Sequence, residues 1–115
     1  MKKSGQIVLF RFAQTNLAQG KLRPALLIGR LPGKFDDWLI CMISSQLQQC
    51  VPGFDEQIDV NDPDFGQSGL KCPSVVRVGR LAVVAGNRLR GAAGEIAAAR
   101  LDRIRRRLAD WLLQA

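Results

Sequence analysis

Helical periodicity in this chain begins only near Ala97, and that delay constrains the fold more than any other feature. Parallel strands need a crossover segment long enough for a helix, and none separates the apolar runs before that point, so the sheet is expected to be antiparallel. Gln6 to Phe12 alternates, with Val8, Phe10 and Phe12 on one side and Ile7, Leu9 and Arg11 on the other. "AQTNLAQGKL", Ala13 to Leu22, is polar, carries Gly20 and reads as a loop. Ala25 to Ile28 is a second strand, with Pro24 expected at its first residue or on a sheet edge, where a missing N–H is tolerated. After the Pro-Gly turn signal in "RLPGKFDD", "WLICMISS" (Trp38 to Ser45) is apolar enough to be buried on both faces. A long loop with Pro52, Gly53, Pro63, Gly66 and Gly69 surrounds a short extended piece, Glu56 to Val60. Ser74 to Val84 is β-branched and interrupted at Gly79, the mark of a bulge or sharp bend.

From Ala97 the pattern changes. Ala97, Leu101, Ile104, Leu108 and Trp111 fall at 4-3-4-3 spacing and predict a helix from about Ala97 to Leu113, with its apolar stripe on the sheet. Arg100, Arg103, Arg106 and Arg107 occupy its other faces and read as a solvated basic surface. At 115 residues, 47% of them hydrophobic, the chain suffices for one folded domain over 1–115 with a single core, not two. There is no internal repeat or low-complexity segment.

Charge is distributed unevenly. The net charge is +7, yet no Lys or Arg lies between Lys34 and Lys71, where seven acids fall: Asp36, Asp37, Asp55, Glu56, Asp59, Asp62 and Asp64. This asymmetry suggests a basic face for a polyanion and a separate acidic or neutral loop region.

Several chemistries are excluded. With no histidine, no Ser-His-Asp or Cys-His set can form. Cys41, Cys50 and Cys72 form no CxxC pair, and a zinc site would need all three plus a carboxylate, so neither metal nor cofactor is expected and the thiols read as reduced and structural. No Walker loop or GxGxxG fingerprint is present, and the acidic pairs Asp36-Asp37 and Asp55-Glu56 lie beside turn residues and read as solvated. The apolar stretch after Met1-Lys2-Lys3 stops at Arg11, short of the ~7–15 residues of a signal core. No run approaches the ~18 residues of a membrane span. A cytoplasmic protein without membrane contact is the expectation.

What remains is arginine and hydroxyls. Arg23 stands at a strand entrance and Ser44-Ser45-Gln46 at the end of the next strand. If those strands are antiparallel neighbours, Arg23 and Ser44 share one end of the sheet. A guanidinium offers a planar fork of donors matched to phosphate oxygens, and a hydroxyl can complete the cradle. One reaction needs little more: attack of an RNA 2′-hydroxyl on its own adjacent phosphate, with the protein aligning the strand and stabilising the phosphorane.

The ordered set "SGQIVLFRFAQTNLAQGKLRPALLIG", "WLICMISSQ", "VVRVGRL" and "GAAGEI" before an amphipathic helix resembles the PemK/MazF toxins of bacterial type II toxin–antitoxin systems. The carrying motifs are Gly5-x-Ile7-Val8, Arg23-Pro24-Ala25, and a hydroxyl pair followed by Gln46. The resemblance covers nearly the whole chain. It implies a mainly β fold, a small SH3-like antiparallel barrel with a C-terminal helix (MazF/CcdB-like), forming a homodimer. It also implies a metal-independent, sequence-specific endoribonuclease that cuts single-stranded RNA to a 2′,3′-cyclic phosphate and a 5′-hydroxyl. A cognate antitoxin with an acidic tail would neutralise it and bind DNA in complex with it.

By position, the resemblance makes Arg23 the residue that stabilises the transition state and Ser44 the one that orients the scissile phosphate. Ser45 and Gln46 would read backbone or base, and Arg77 would lie near bound RNA. Phe12, Gln14, Thr15 and Lys21 would border the substrate groove, with Phe12 able to stack on a base. Two positions depart from some relatives: Arg11 and Ser74 stand where those carry acids. If the acid beside "VVRV" is the general base there, Ser74 leaves substrate binding as its role. Water, or a carboxylate from the partner subunit, would then take the 2′-hydroxyl proton. The alternative readings are a gyrase poison like the CcdB group and a non-catalytic SH3-like nucleic-acid module.

Overall fold

The computed structural model describes residues 2–11 and 21–115. Phe12, Gln14 and Thr15 therefore lie outside the described residues. Among the described residues six strands form one antiparallel sheet: β1 (Gln6–Arg11), β2 (Leu22–Arg30), β3 (Asp37–Ser44), β4 (Glu56–Ile58), β5 (Ser74–Ala85) and β6 (Arg90–Glu95). Their order is β4-β5-β3-β2-β1-β6. A single helical turn, α1 (Phe65–Ser68), precedes β5, and the long helix α2 (Ala98–Gln114) ends the chain. The fold is mainly β, a curled half-barrel carrying a C-terminal helix, as expected. No helix among the described residues is long and apolar enough to cross a membrane.

The sheet is apolar on both faces because β2 and β3 are. β3 buries Trp38 and Ile40 on one side and Cys41 and Ile43 on the other. One core, with Ile7, Leu26, Ile43, Val76 and Val78, is covered by Ile104 and Leu108 of α2. The opposite core gathers Val8, Phe10, Ala25, Leu27, Trp38, Ile40 and Leu89. Phe10 of β1 and Val84 of β5 line one cavity although two strands separate them, which is how the sheet's curl shows itself.

Gly79 marks a bulge, as its sequence position suggested. β3–β5 pairing jumps from Cys41↔Leu81 to Met42↔Arg77, and the ring of Phe54 packs against the space a Gly79 side chain would need. Pro24 departs from expectation: it is the third residue of β2, an interior strand. The ladder to β1 runs on to Arg11↔Leu22, but the ladder to β3 ends at Ala25↔Met42, one residue past the proline. A residue with no N–H is accommodated where pairing stops.

β6 escaped the sequence reading because "RGAAGE" has no β-branched or aromatic residue. It is held by β1 and by close approach to α1, where a Cβ on Gly94 would collide with the Gln67 and Ser68 backbone.

The basic face of α2 requires correction. Arg100 is 7% exposed and binds Asp64, Asp62 and Glu56; Arg103 and Arg107 both reach Glu56. Asp55 and Glu56, expected in solvent, are 4% and 6% exposed. The acidic middle segment is thus not a separate charged region. Its Glu56, Asp62 and Asp64 fold onto the helix and pair with Arg100, Arg103 and Arg107, because buried charges persist only when paired.

Candidate functional site

Cross-strand neighbours in a ladder share a face. Ala25↔Met42 and Met42↔Arg77 therefore place Ala25, Met42 and Arg77 in one row across β2, β3 and β5. The next row outward contains Phe10↔Arg23 and Ser44↔Val75. Continuing the β2–β3 register two residues past its last pair sets Arg23 opposite Ser44. Arg23, Ser44 and Arg77 thus gather at one end of one sheet face, and Pro24, by ending the ladder, leaves the strands unpaired between the first two.

Arg23 is exposed, and no ion pair or hydrogen bond holds its guanidinium among the described residues. Ser44 is half-buried, and its Oγ accepts the Gln46 N–H at 3.0 Å, which fixes the hydroxyl and leaves its proton to donate. Ser45 follows on an exposed bend, and the Gln46 side-chain oxygen accepts from Gln48 Nε2 at 2.8 Å. Lys21 is exposed just before β2.

Arg77 is built in. Its Nε donates to Asp55 Oδ2 at 3.1 Å and its Nη1 to Gln49 Oε1 at 2.9 Å. Asp55 also accepts the Val51 and Val78 N–H groups, so both carboxylate oxygens are engaged in holding the loop and Arg77. That acid is a brace, not an available proton acceptor.

Ser74 stands apart. It pairs with Ile58 on the opposite face of the sheet, is 4% exposed, and donates to the Cys72 carbonyl. The structure does not bring it to Arg23.

Two clefts that the sequence reading missed adjoin Phe10, the register partner of Arg23. They are described below.

A family model for the PemK-like, MazF-like toxin of type II toxin–antitoxin systems matches residues 3–112. The chain belongs to that family. A search of curated proteins found no match. Membership in the PemK/MazF family implies a toxin that acts on RNA as an endoribonuclease and has an antitoxin as its partner.

Proposed function

We propose that this protein is a sequence-specific endoribonuclease toxin that cleaves single-stranded RNA by attack of the 2′-hydroxyl on the adjacent phosphate. The observation that carries the reading is the convergence of Arg23, Ser44 and Arg77 on one sheet face without histidine or an available carboxylate. Such a site suits a reaction whose nucleophile comes from the substrate. Arg23 stabilises the extra charge on the phosphorane as a bidentate donor, the role a planar guanidinium fork suits. The Ser44 hydroxyl orients a non-bridging oxygen, and Arg77, locked by Asp55, supplies fixed positive potential. The 2′-hydroxyl proton leaves to water or to a partner carboxylate as the 2′-oxygen bonds to phosphorus. The P–O5′ bond breaks and the departing 5′ oxygen takes a proton from water, giving a 2′,3′-cyclic phosphate and a 5′-hydroxyl. Ser45, Gln46 and Lys21, with Phe12, Gln14 and Thr15 of the first loop, form the substrate groove. The chain acts as one domain in a cytoplasmic homodimer, restrained by an acidic antitoxin.

The test is incubation of purified protein with a long single-stranded RNA in EDTA, with the new termini identified. Discrete cuts ending in cyclic phosphate are expected, with none from Arg23→Ala and strongly slowed cutting from Arg23→Lys. An Arg23→Ala protein cutting at the wild-type rate would sink the assignment.

A further inference from the structure

The described arginines differ in what holds them. Arg77, Arg100, Arg103, Arg106 and Arg107 each meet a carboxylate within 3.1 Å. Arg23, Arg88 and Arg90 meet none among the described residues. Glu56, Asp62, Asp64 and Asp102 are engaged by arginines of α2, and Asp55 by Arg77, which leaves Arg23, Arg88 and Arg90 available to an anion.

A cleft of about 250 Å³ is lined by Phe10, Arg11, Leu22, Asn87, Arg88 and Arg90. A second, of about 440 Å³, shares Phe10, Arg11 and Arg88 and continues over Ala82 and Val84. Among the described residues, no acidic side chain lines either one. The arginines are held in place by the backbone around them. Arg88 closes the 3-10 turn Gly86–Arg88, which hydrogen-bonds to the Asp36 carbonyl through Gly86 N at 2.7 Å. A Cβ on Gly86 would strike the Asp36 carboxylate, so the turn depends on glycine. Leu89 is buried between the exposed Arg88 and Arg90 and anchors the pair.

We infer that these joined clefts are a second RNA subsite, holding the nucleotides next to the scissile phosphate. This deepens the proposed function and rests on it. Phe10 is the cross-strand partner of Arg23, so the clefts start one strand spacing, ~4.8 Å, from the candidate phosphate site. Arg88 and Arg90 bind phosphates, the apolar floor of Phe10 and Leu22 receives a base, and the Asn87 amide can pair with a base edge. Unpaired guanidinium groups beside apolar surface are the arrangement that single-stranded nucleic acid requires.

The test is binding of a 2′-O-methyl RNA oligonucleotide, which lacks the nucleophile and cannot be cut, measured by fluorescence anisotropy across a salt series. Arg88→Ala/Arg90→Ala should lose at least about tenfold in affinity at low salt, and its salt slope should fall by about 1.4 for two lost phosphate contacts. Lys34→Ala/Lys71→Ala, which removes the same charge from exposed sites elsewhere, should change affinity less than about twofold. Arg88→Lys/Arg90→Lys should restore most of the slope, and failure to do so would count against the subsite. Equal losses in the two alanine variants would overturn it. So would an oligoglutamate peptide whose binding, unlike that of RNA, depends on Arg88 and Arg90, because the cleft would then dock protein. Wild-type binding without cleavage would sink the proposed function alone. Cleavage with binding insensitive to both arginines would sink the subsite alone.

Discussion

Arg100 grips Asp64 with both arms: Nε donates to Oδ2 at 2.8 Å and Nη2 to Oδ1 at 3.0 Å. The two residues lie 36 positions apart, and their fork fixes α2 to the loop before α1. The same guanidinium also reaches Asp62, Glu56 and the Gln57 carbonyl. Asp64 in addition accepts the Ala97 N–H at 3.0 Å, so the network serves the start of the helix as well.

Removing this buried arginine should therefore cost far more than removing one from the exposed face of the helix. Arg100→Met should destabilise the protein by about 3–5 kcal/mol, because it leaves carboxylates buried without their counter-charge. Arg106→Ala, which breaks an exposed pair with Asp102, should leave stability nearly unchanged. Denaturant midpoints of the two variants measure both. Similar losses would show that the buried network is no more than a surface pair.

The network also sets a pH limit. Hydrogen bonding from Arg100 holds the Asp64 carboxyl below the usual carboxylate range, against an opposing contribution from burial. The Asp59 N–H does the same for Asp62, with Arg100 assisting. Between the folded and unfolded pKa values the unfolded chain binds more protons, so stability rises with pH there. This contribution is complete above the unfolded value of about 3.9 and is lost as pH falls through the folded values. Acid unfolding should steepen below about pH 4. In Arg100→Met that steepening should shrink, and an unchanged acid slope would refute the linkage.

How much of this was legible beforehand differed from element to element, for physical reasons. Alternation along Val8 and Phe10 and the unbroken run of β3 identified their strands, since side-chain period records which faces are buried. The meeting of Arg23 and Ser44 followed from antiparallel neighbours alone. The partners of Arg100 did not, because helical period states which face a residue occupies and not what folds against it. β6 was hidden by its glycines and alanines, and Arg88 and Arg90 with it. Ser74 looked like a groove residue from its place before "VVRV", yet strand phase turns it to the opposite face, where it binds the Cys72 carbonyl.

Strand phase gives a sharper test at the hydroxyl pair. Ser44 is the last residue of β3 and shares its face with Met42, whereas Ser45 sits on the bend beyond. Ser44→Ala should reduce the cleavage rate by about 10²–10³, the effect of losing one preorganised donor. Ser45→Ala should cost much less. Single-turnover cleavage at saturating protein separates these outcomes, and a reversed order would mean that Ser45 holds the phosphate.

The expectation of a homodimer has a surface to act through. Beyond the Gly79 bulge, β5 pairs with β3 alone among the described residues, so its other edge is open. That half carries Leu81 and Val83, the latter 55% exposed. Next to the bulge Phe54 packs on Trp111, ring centroids 6.1 Å apart, and the end of α2 leaves Trp111 and Leu112 51% and 60% exposed. An open apolar strand edge beside an apolar helix end invites pairing with a like surface. A second copy with the same edge can close the contact by two-fold symmetry, which leaves no strand edge for further growth. Light scattering should then give about twice the 12.7 kDa chain mass. Leu81→Asp/Val83→Asp should halve that value, since each new carboxylate would be desolvated in the contact. A double variant that keeps the wild-type mass would move the interface elsewhere, and a monomeric wild type that still cuts RNA would show that one chain carries the whole site.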